Sequence, residues 1–195
     1  QDQGLTLDIA VHLGTLVAVI LYLRRDLMDL FAGFFRWLLM RVESDESRLA
    51  LKLIVATLPA GLAGIALRAV IEANARSLVI VATTSIIFAV LLWLADRSGA
   101  RRLNAVPFSE LTVPGALFIG VAQAFALIPG ASRSGVTMTA ARFLGLTREA
   151  SARFSFLLSI PIILASGLAL VGANRTASAA IDATTLGYAA SVSAL

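Results

Sequence analysis

Along this 195-residue chain the apolar positions come in blocks rather than stripes. Residues 9–23 (IAVHLGTLVAVILYL), 53–67 (LIVATLPAGLAGIAL), 78–95 (LVIVATTSIIFAVLLWLA) and 154–171 (FSFLLSIPIILASGLALV) are uninterrupted enough to cross a hydrocarbon core, which takes about 20 residues. A buried helix of a soluble bundle would usually keep a polar stripe. The pattern therefore predicts an all-α, polytopic helical membrane protein. A different pattern occupies 26–41, where Leu27, Leu30, Phe31, Phe34, Phe35, Leu38 and Leu39 fall on one helical face. That spacing predicts an amphipathic helix lying in the membrane interface.

Charge orders these blocks. Residues 24–52 carry Arg24, Arg25, Arg36, Arg41, Arg48 and Lys52, and residues 96–112 carry Arg97, Arg101 and Arg102. The positive-inside rule puts both stretches in the cytoplasm. Two crossings separate them, so the parity agrees and the turn at Glu72 to Arg76 lies outside. Basic residues return at Arg142, Arg148 and Arg153. If these are cytoplasmic too, the chain enters and leaves from one side between 112 and 148. That stretch holds apolar pieces at 113–128 and 138–146, the second too short to span. The economical reading is a re-entrant helical hairpin over about 113–146 with PGASRSGVT (129–137) at its tip; the alternative is one kinked transmembrane helix. Thr147, followed by Glu149, suits the N-cap of the next helix. Pro59 and Pro161 are expected to kink theirs. With no linker visible, residues 1–195 read as a single membrane-embedded domain.

Composition narrows the chemistry. The chain is 58% hydrophobic and 14% charged, against about a quarter charged for a soluble domain. It has no cysteine, which removes disulfides, thiol nucleophiles and thiolate metal sites. The single histidine, His12, excludes a multi-histidine metal site; it stands four residues after Asp8, where the two read as an interfacial pair. The net charge of +4 is first a topology signal, and no nucleic-acid partner is expected. The N-terminus lacks a basic start and a methionine, and the C-terminus stops inside an apolar run. The sequence thus reads as a piece of a longer protein.

The tip stretch carries the chemistry. Arg133 offers a planar five-donor fork suited to phosphate or carboxylate. Ser132, Ser134 and Thr137 add hydroxyls, Gly130 and Gly135 permit close backbone approach, and Pro129 ends the incoming helix. A helix over 138–146 would aim its first amides and positive dipole end at the tip, favouring an anion. An intramembrane cation is by default a functional candidate; the alternative is that Arg133 pairs with a carboxylate elsewhere and the hydroxyls satisfy local backbone. GASRSGVT has the glycine and threonine spacing of a nucleotide-binding P-loop, but Val136 occupies the lysine position.

The run GVAQAFALIPGASRSGVTMTAARFLGLTREASARFSFLLSIPIILA resembles the second signature region of bacterial undecaprenyl pyrophosphate phosphatases. That family has a PGxSRSGxT signature after a glutamine-containing helix and before a FSFLLxIP-like helix. Matching positions are Gln123, Pro129, Gly130, Ser132, Arg133, Ser134, Gly135, Thr137, Phe154, Ser155, Phe156, Leu157, Leu158 and Pro161. The stretch 12–27 is similar to the family's first full span and its basic flank, so the resemblance covers nearly all of 5–172.

The resemblance implies a multi-pass enzyme of the bacterial inner membrane that hydrolyses undecaprenyl pyrophosphate to undecaprenyl phosphate and inorganic phosphate, recycling the carrier lipid of peptidoglycan synthesis. It implies an inverted repeat with two re-entrant hairpins meeting in a cavity open to the periplasm, and a divalent cation, Mg²⁺ or Ca²⁺. Carried over by residue, Arg133 would clamp the pyrophosphate, Ser132, Ser134 and Thr137 would donate to it, and Gln123, Gly130 and Gly135 would line the substrate's approach. The implied partners are a polyprenyl pyrophosphate lipid and the bilayer; a homodimer is left open. The family's glutamate-rich motif, with serines and a histidine, would precede Gln1, and with it the metal ligands; no metal ligand is expected within this chain. The stretch given is expected to be inactive alone. A transporter or flippase for a phosphorylated lipid or anionic solute is the alternative, since such proteins also aim broken helices at anions.

Overall fold

The computed structural model describes residues 17–74, 77–100, 106 and 108–174, which are all-helical apart from turns and one isolated parallel bridge. Asp8, His12 and the first part of the 9–23 block lie outside the described residues; 17–22 are helical. The helices are α1 (Arg24–Met40), α2 (Asp45–Asn74), α3 (Leu78–Ala100), α4 (Val113–Ala124), α5 (Arg133–Phe143) and α6 (Arg148–Asn174). Single 3-10 turns occupy Phe108–Glu110 and Phe125–Leu127. Two compact units result: Leu30–Leu158, and the chain ends Gln1–Asp29 with Ser159–Leu195. In the latter the described stretches are the helical ends of α1 and α6 and the residues leading into α1.

The amphipathic pattern at 26–41 is α1. Its apolar side chains Phe31, Phe35, Leu38 and Leu39 are exposed, as on a helix that offers one face to lipid. Helix α2 begins eight residues before the 53–67 block. Ser44 and Ser47 cap each other reciprocally, each backbone N–H donating to the other's Oγ (2.9 and 3.3 Å), and Asp45 and Glu46 fill the first turn, where the helix dipole favours acids. The helix runs on to Asn74 through Pro59, so Glu72 to Asn74, expected in a turn, are helical.

Among the described residues two stretches, Asp45–Leu67 and Leu78–Gly99, are long and apolar enough to cross a membrane. Their outer faces carry exposed Leu58, Leu62, Ile65, Ile86, Ile87 and Val90. Their buried alanines are Ala56, Ala60 and Ala95, and α4 and α5 add the buried Ala116, Ala140 and Ala141. Small residues let membrane helices approach closely, which is where their packing energy comes from.

Inside Leu30–Leu158 the chain doubles back after α4. Helix α4 packs on α2, α5 packs on α3, and α4 and α5 pack on each other. These two helices, joined by a short irregular stretch, form a helical hairpin. Gly120 lies against Ala56, where an added Cβ would sit 2.7 Å from the Ala56 Cα. Gly64 lies opposite Leu127, so α4 runs alongside α2 in the same direction.

One boundary differs from the sequence reading. The irregular stretch is Ile128–Ser132, not 129–137, and the outgoing helix is Arg133–Phe143, not 138–146. Ser132 is the reason: its Oγ accepts from the Gly135 N–H (3.3 Å) and its carbonyl from the Val136 N–H (2.8 Å). The other end of α5 closes on Gly145 (φ 91°), with Gly145 N–H to the Arg142 carbonyl and Leu146 N–H to the Ala141 carbonyl. That pair of bonds is a Schellman cap. Val106 then bridges this corner, donating to the Gly145 carbonyl and accepting from Thr147. Thr147 caps α6 as expected, its Oγ1 accepting from the Ala150 N–H at 3.0 Å.

Candidate functional site

The tip is a tight turn over Ile128-Pro129-Gly130-Ala131, closed by the Ala131 N–H on the Ile128 carbonyl (3.1 Å). Proline at the second position and Gly130 at φ 89° make it type II, a turn that demands a positive φ at its third residue. Gly130 also touches α3: an added Cβ would collide with the Val81 carbonyl and the Thr84 hydroxyl. Thr84 Oγ1 donates to the Pro129 carbonyl, and Ser85 Oγ donates to the Gly130 carbonyl at 2.9 Å. Gly130 therefore serves a close approach to α3, which the sequence reading had assigned to a ligand.

Helix α5 starts directly after the turn. Ser132, exposed, is its N-cap, and its Oγ stands 3.4 Å from that of Ser134. Arg133 is the first helical residue and half-buried, and no carboxylate or carbonyl among the described residues pairs with its guanidinium. Gly135 lies over Ser132, with 3.2 Å between an added Cβ and the Ser132 Cβ. Thr137 is only 1% exposed and its hydroxyl is engaged: it lies 2.7 Å from Ser155 Oγ on α6 and reaches the Arg133 and Ser134 carbonyls at 3.0 and 3.1 Å. Ser132, Arg133 and Ser134 thus stand together at one helix start, while Thr137 braces that start from behind.

Gln123, on α4, is 2% exposed, and neither its Oε1 nor its Nε2 has a partner among the described residues. A buried amide left unpaired costs about 1–3 kcal/mol, so its presence there calls for a reason.

The opposite end of the hairpin is an ion-pair knot. Asp96 on α3 faces Arg142 (Nε to Oδ1, 3.2 Å) and takes a bidentate grip from Arg148 (2.8 and 2.6 Å). Arg142, 5% exposed, also donates to the Leu146 and Asp96 carbonyls. The Asp96 carboxylate, hydrogen-bonded to it, holds the exposed Arg148 guanidinium further up than usual. A cleft of about 430 Å³ opens here, lined by Trp93, Met138, Asp96, Arg142 and Arg148 among others. Its cations already share a carboxylate, so Arg133, without a partner among the described residues, is the better anion site.

Sequence reasoning missed Thr84, Ser85 and Asp96, and gave Ser155 no role beyond its place in the family match. A signal existed for the first two: Thr83-Thr84-Ser85 is a hydroxyl cluster inside an otherwise apolar block.

Chemically, the tip offers a guanidinium, two serine hydroxyls and the dipole-positive start of a helix, all donors suited to a phosphate-like anion. Among the described residues no group of three histidine, aspartate or glutamate side chains could hold a metal ion. The donor set at the tip does not fit a divalent cation.

Fold and site together define an all-helical membrane protein that carries a hairpin of two short helices. The profile of the family described as bacitracin resistance protein BacA matches residues 1–195, and the chain belongs to that family. Among curated relatives, a protein of Hahella chejuensis named undecaprenyl-diphosphatase is 52% identical over 168 residues, covering 86% of this chain and 62% of the relative. One of Saccharophagus degradans with the same name is 52% identical over 167 residues, with the same coverage. The chain thus spans about three fifths of the length of these relatives.

Proposed function

We propose that this chain forms the phosphate-binding part of an undecaprenyl-diphosphate phosphatase. The reaction is hydrolysis of undecaprenyl pyrophosphate to undecaprenyl phosphate and inorganic phosphate, which returns the carrier lipid to peptidoglycan synthesis. The observation that carries this reading is the half-buried Arg133 at the capped start of α5, unpaired among the described residues and flanked by Ser132 and Ser134. The family and the names of its relatives support the substrate.

Cleaving a phosphoanhydride moves negative charge onto the leaving phosphate oxygen, and fixed donors in a water-poor site stabilise that charge strongly. Arg133 grips the phosphate oxygens with its planar fork, and Ser132 and Ser134 donate beside it. Thr137 holds the first turn of α5 in register. Gly135 keeps the backbone at the helix start low, and the Gln123 amide, without a partner among the described residues, stands on the approach side. The family brings a divalent cation, Mg²⁺ or Ca²⁺, as an expectation; the residues described here bind the phosphate side of the reaction.

In the membrane the hairpin is re-entrant. Arg48, Arg97, Arg142, Arg148 and Arg153 lie toward the end where α4 starts and α5 finishes, the cytoplasmic side by the positive-inside rule. Thr84, which touches the tip, is six residues from the start of α3, about 9 Å along its axis. The tip therefore lies toward the periplasmic side of the inner membrane. A second hairpin related by an inverted repeat completes the proposed architecture, in one membrane-embedded domain.

Phosphate release from undecaprenyl pyrophosphate by the full-length protein in detergent is the test. Arg133→Ala is expected to lower kcat on the order of 10²–10³-fold. Full activity in that variant overturns the reading, and lipid movement without phosphate release would favour a transporter.

A further inference from the structure

We propose that Thr84 and Ser85 of α3 are positioning residues for this site: they lock the Pro129–Gly130 peptide so that the Gly130 N–H faces away from α3, as a donor for a phosphate oxygen. The inference rests on the phosphatase reading above.

The geometry starts from the turn. In a type II turn the central peptide is flipped relative to type I, which is why Gly130 has φ 89°. The peptide unit is planar and trans, so its N–H points opposite to its carbonyl. The Pro129 carbonyl points into α3, onto Thr84 Oγ1. The Gly130 N–H therefore points away from α3, and it has no partner among the described residues. The next carbonyl, of Gly130, is held by Ser85 Oγ at 2.9 Å. Among the described residues no other donor reaches either carbonyl.

Thr84 is not a passive contact. Its hydroxyl carries one proton and has three acceptors in reach: the Pro129 carbonyl, the Ile80 carbonyl at 2.8 Å and the Val81 carbonyl at 3.1 Å. A threonine inside an apolar helix ordinarily bonds back to its own helix. Here the tip competes for that proton. Without it, glycine lets the peptide swing to the type I arrangement, turning a carbonyl rather than an N–H toward the anion. One flip would thus replace an attractive dipole by a repulsive one.

The test uses the full-length enzyme in detergent with Thr84→Val, Thr84→Ser, Ser85→Ala and Arg133→Ala. A donor that meets charge developing in the transition state acts on kcat more than on KM. Thr84→Val is expected to lose about 100-fold in kcat with KM within about threefold. Thr84→Ser should restore kcat to within about threefold of wild type, because the hydroxyl returns. Ser85→Ala should show a smaller loss of the same kind. As a readout besides turnover, hydrogen exchange of the 125–136 segment is followed with and without inorganic pyrophosphate. Protection of the Gly130 amide on adding pyrophosphate is expected in wild type and Thr84→Ser and is lost in Thr84→Val, while the amides around Arg133 stay protected in all three. Wild-type kcat and protection in Thr84→Val, with Arg133→Ala inactive, overturn this inference alone. If Arg133→Ala is also fully active, the phosphatase reading of the tip falls. If Thr84→Val does not fold, wild-type kcat in Ser85→Ala overturns the inference instead.

Discussion

Arg133 and Arg142 sit on the same short helix, nine positions apart, in opposite circumstances. Arg142 is buried and shares Asp96 with Arg148. Arg133 has no partner among the described residues. The two should respond oppositely to substitution. Asp96→Asn takes the carboxylate from the buried Arg142, which keeps only its carbonyl acceptors, and is expected to lower the midpoint of a detergent unfolding titration, since breaking a buried pair is expensive. Arg148→Ala removes a partner that is 74% exposed and should shift the same titration far less. Gln123→Leu should raise the thermal midpoint, because it deletes two buried polar atoms that have no partner among the described residues, while weakening substrate binding; a lowered midpoint would mean the amide has a partner in the complete protein. Arg133 could be found from sequence because a charge inside an apolar run is a local anomaly. The role of Arg142 could not: its carboxylate lies 46 residues away, and the local pattern shows only one more arginine for the topology count.

At the scale of elements, apolar blocks locate helices well and their ends poorly. The blocks at 53–67 and 78–95 became the cores of α2 and α3. The true ends were set by caps, Ser44 with Ser47 for α2 and Ser132 for α5, and a serine before a helix reads like a serine in a loop. That is why Ser-Arg-Ser was taken for irregular chain although Arg133 and Ser134 are helical. Packing between elements rests on close approach of α4 to α2. Gly120→Ala should lose about 1–3 kcal/mol, because the new methyl group meets Ala56 backbone and the helices must part. Gly61→Ala, whose Cβ would meet nothing within 4 Å, should be neutral or stabilising by up to about 1 kcal/mol. Thermal unfolding of the two variants side by side separates packing from helix propensity.

At the scale of the molecule, the proposed topology makes a labelling prediction that the absence of cysteine makes clean. In intact spheroplasts, Ser77→Cys, at the turn between α2 and α3, should react with a membrane-impermeant maleimide. Ser98→Cys and Glu149→Cys, at the arginine-rich end, should react only after the membrane is opened. The reverse pattern would invert the hairpin. Arginine parity alone carried the sequence to a hairpin, because loops on one side of a membrane must balance. Which helices embrace that hairpin was beyond it, since the contacts of α4 with α2 and of α5 with α3 depend on alanines and glycines that carry no local signal.

The pairing of α3 with α5 carries one more consequence. Thr84 meets Pro129, Ser85 meets Gly130, and Asp96 meets Arg142, offsets of 45, 45 and 46 residues. The two helices march in step between anchors at both ends, over about 18 Å. The short helix is in effect a ruler calibrated against the long one. A single residue inserted into either would shift one anchor by about 1.5 Å and turn it by about 100°. Its hydroxyl clasp or its ion pair would then have to let go. Compensating insertions in both would leave the two clasps in place, so these segments can change length only together.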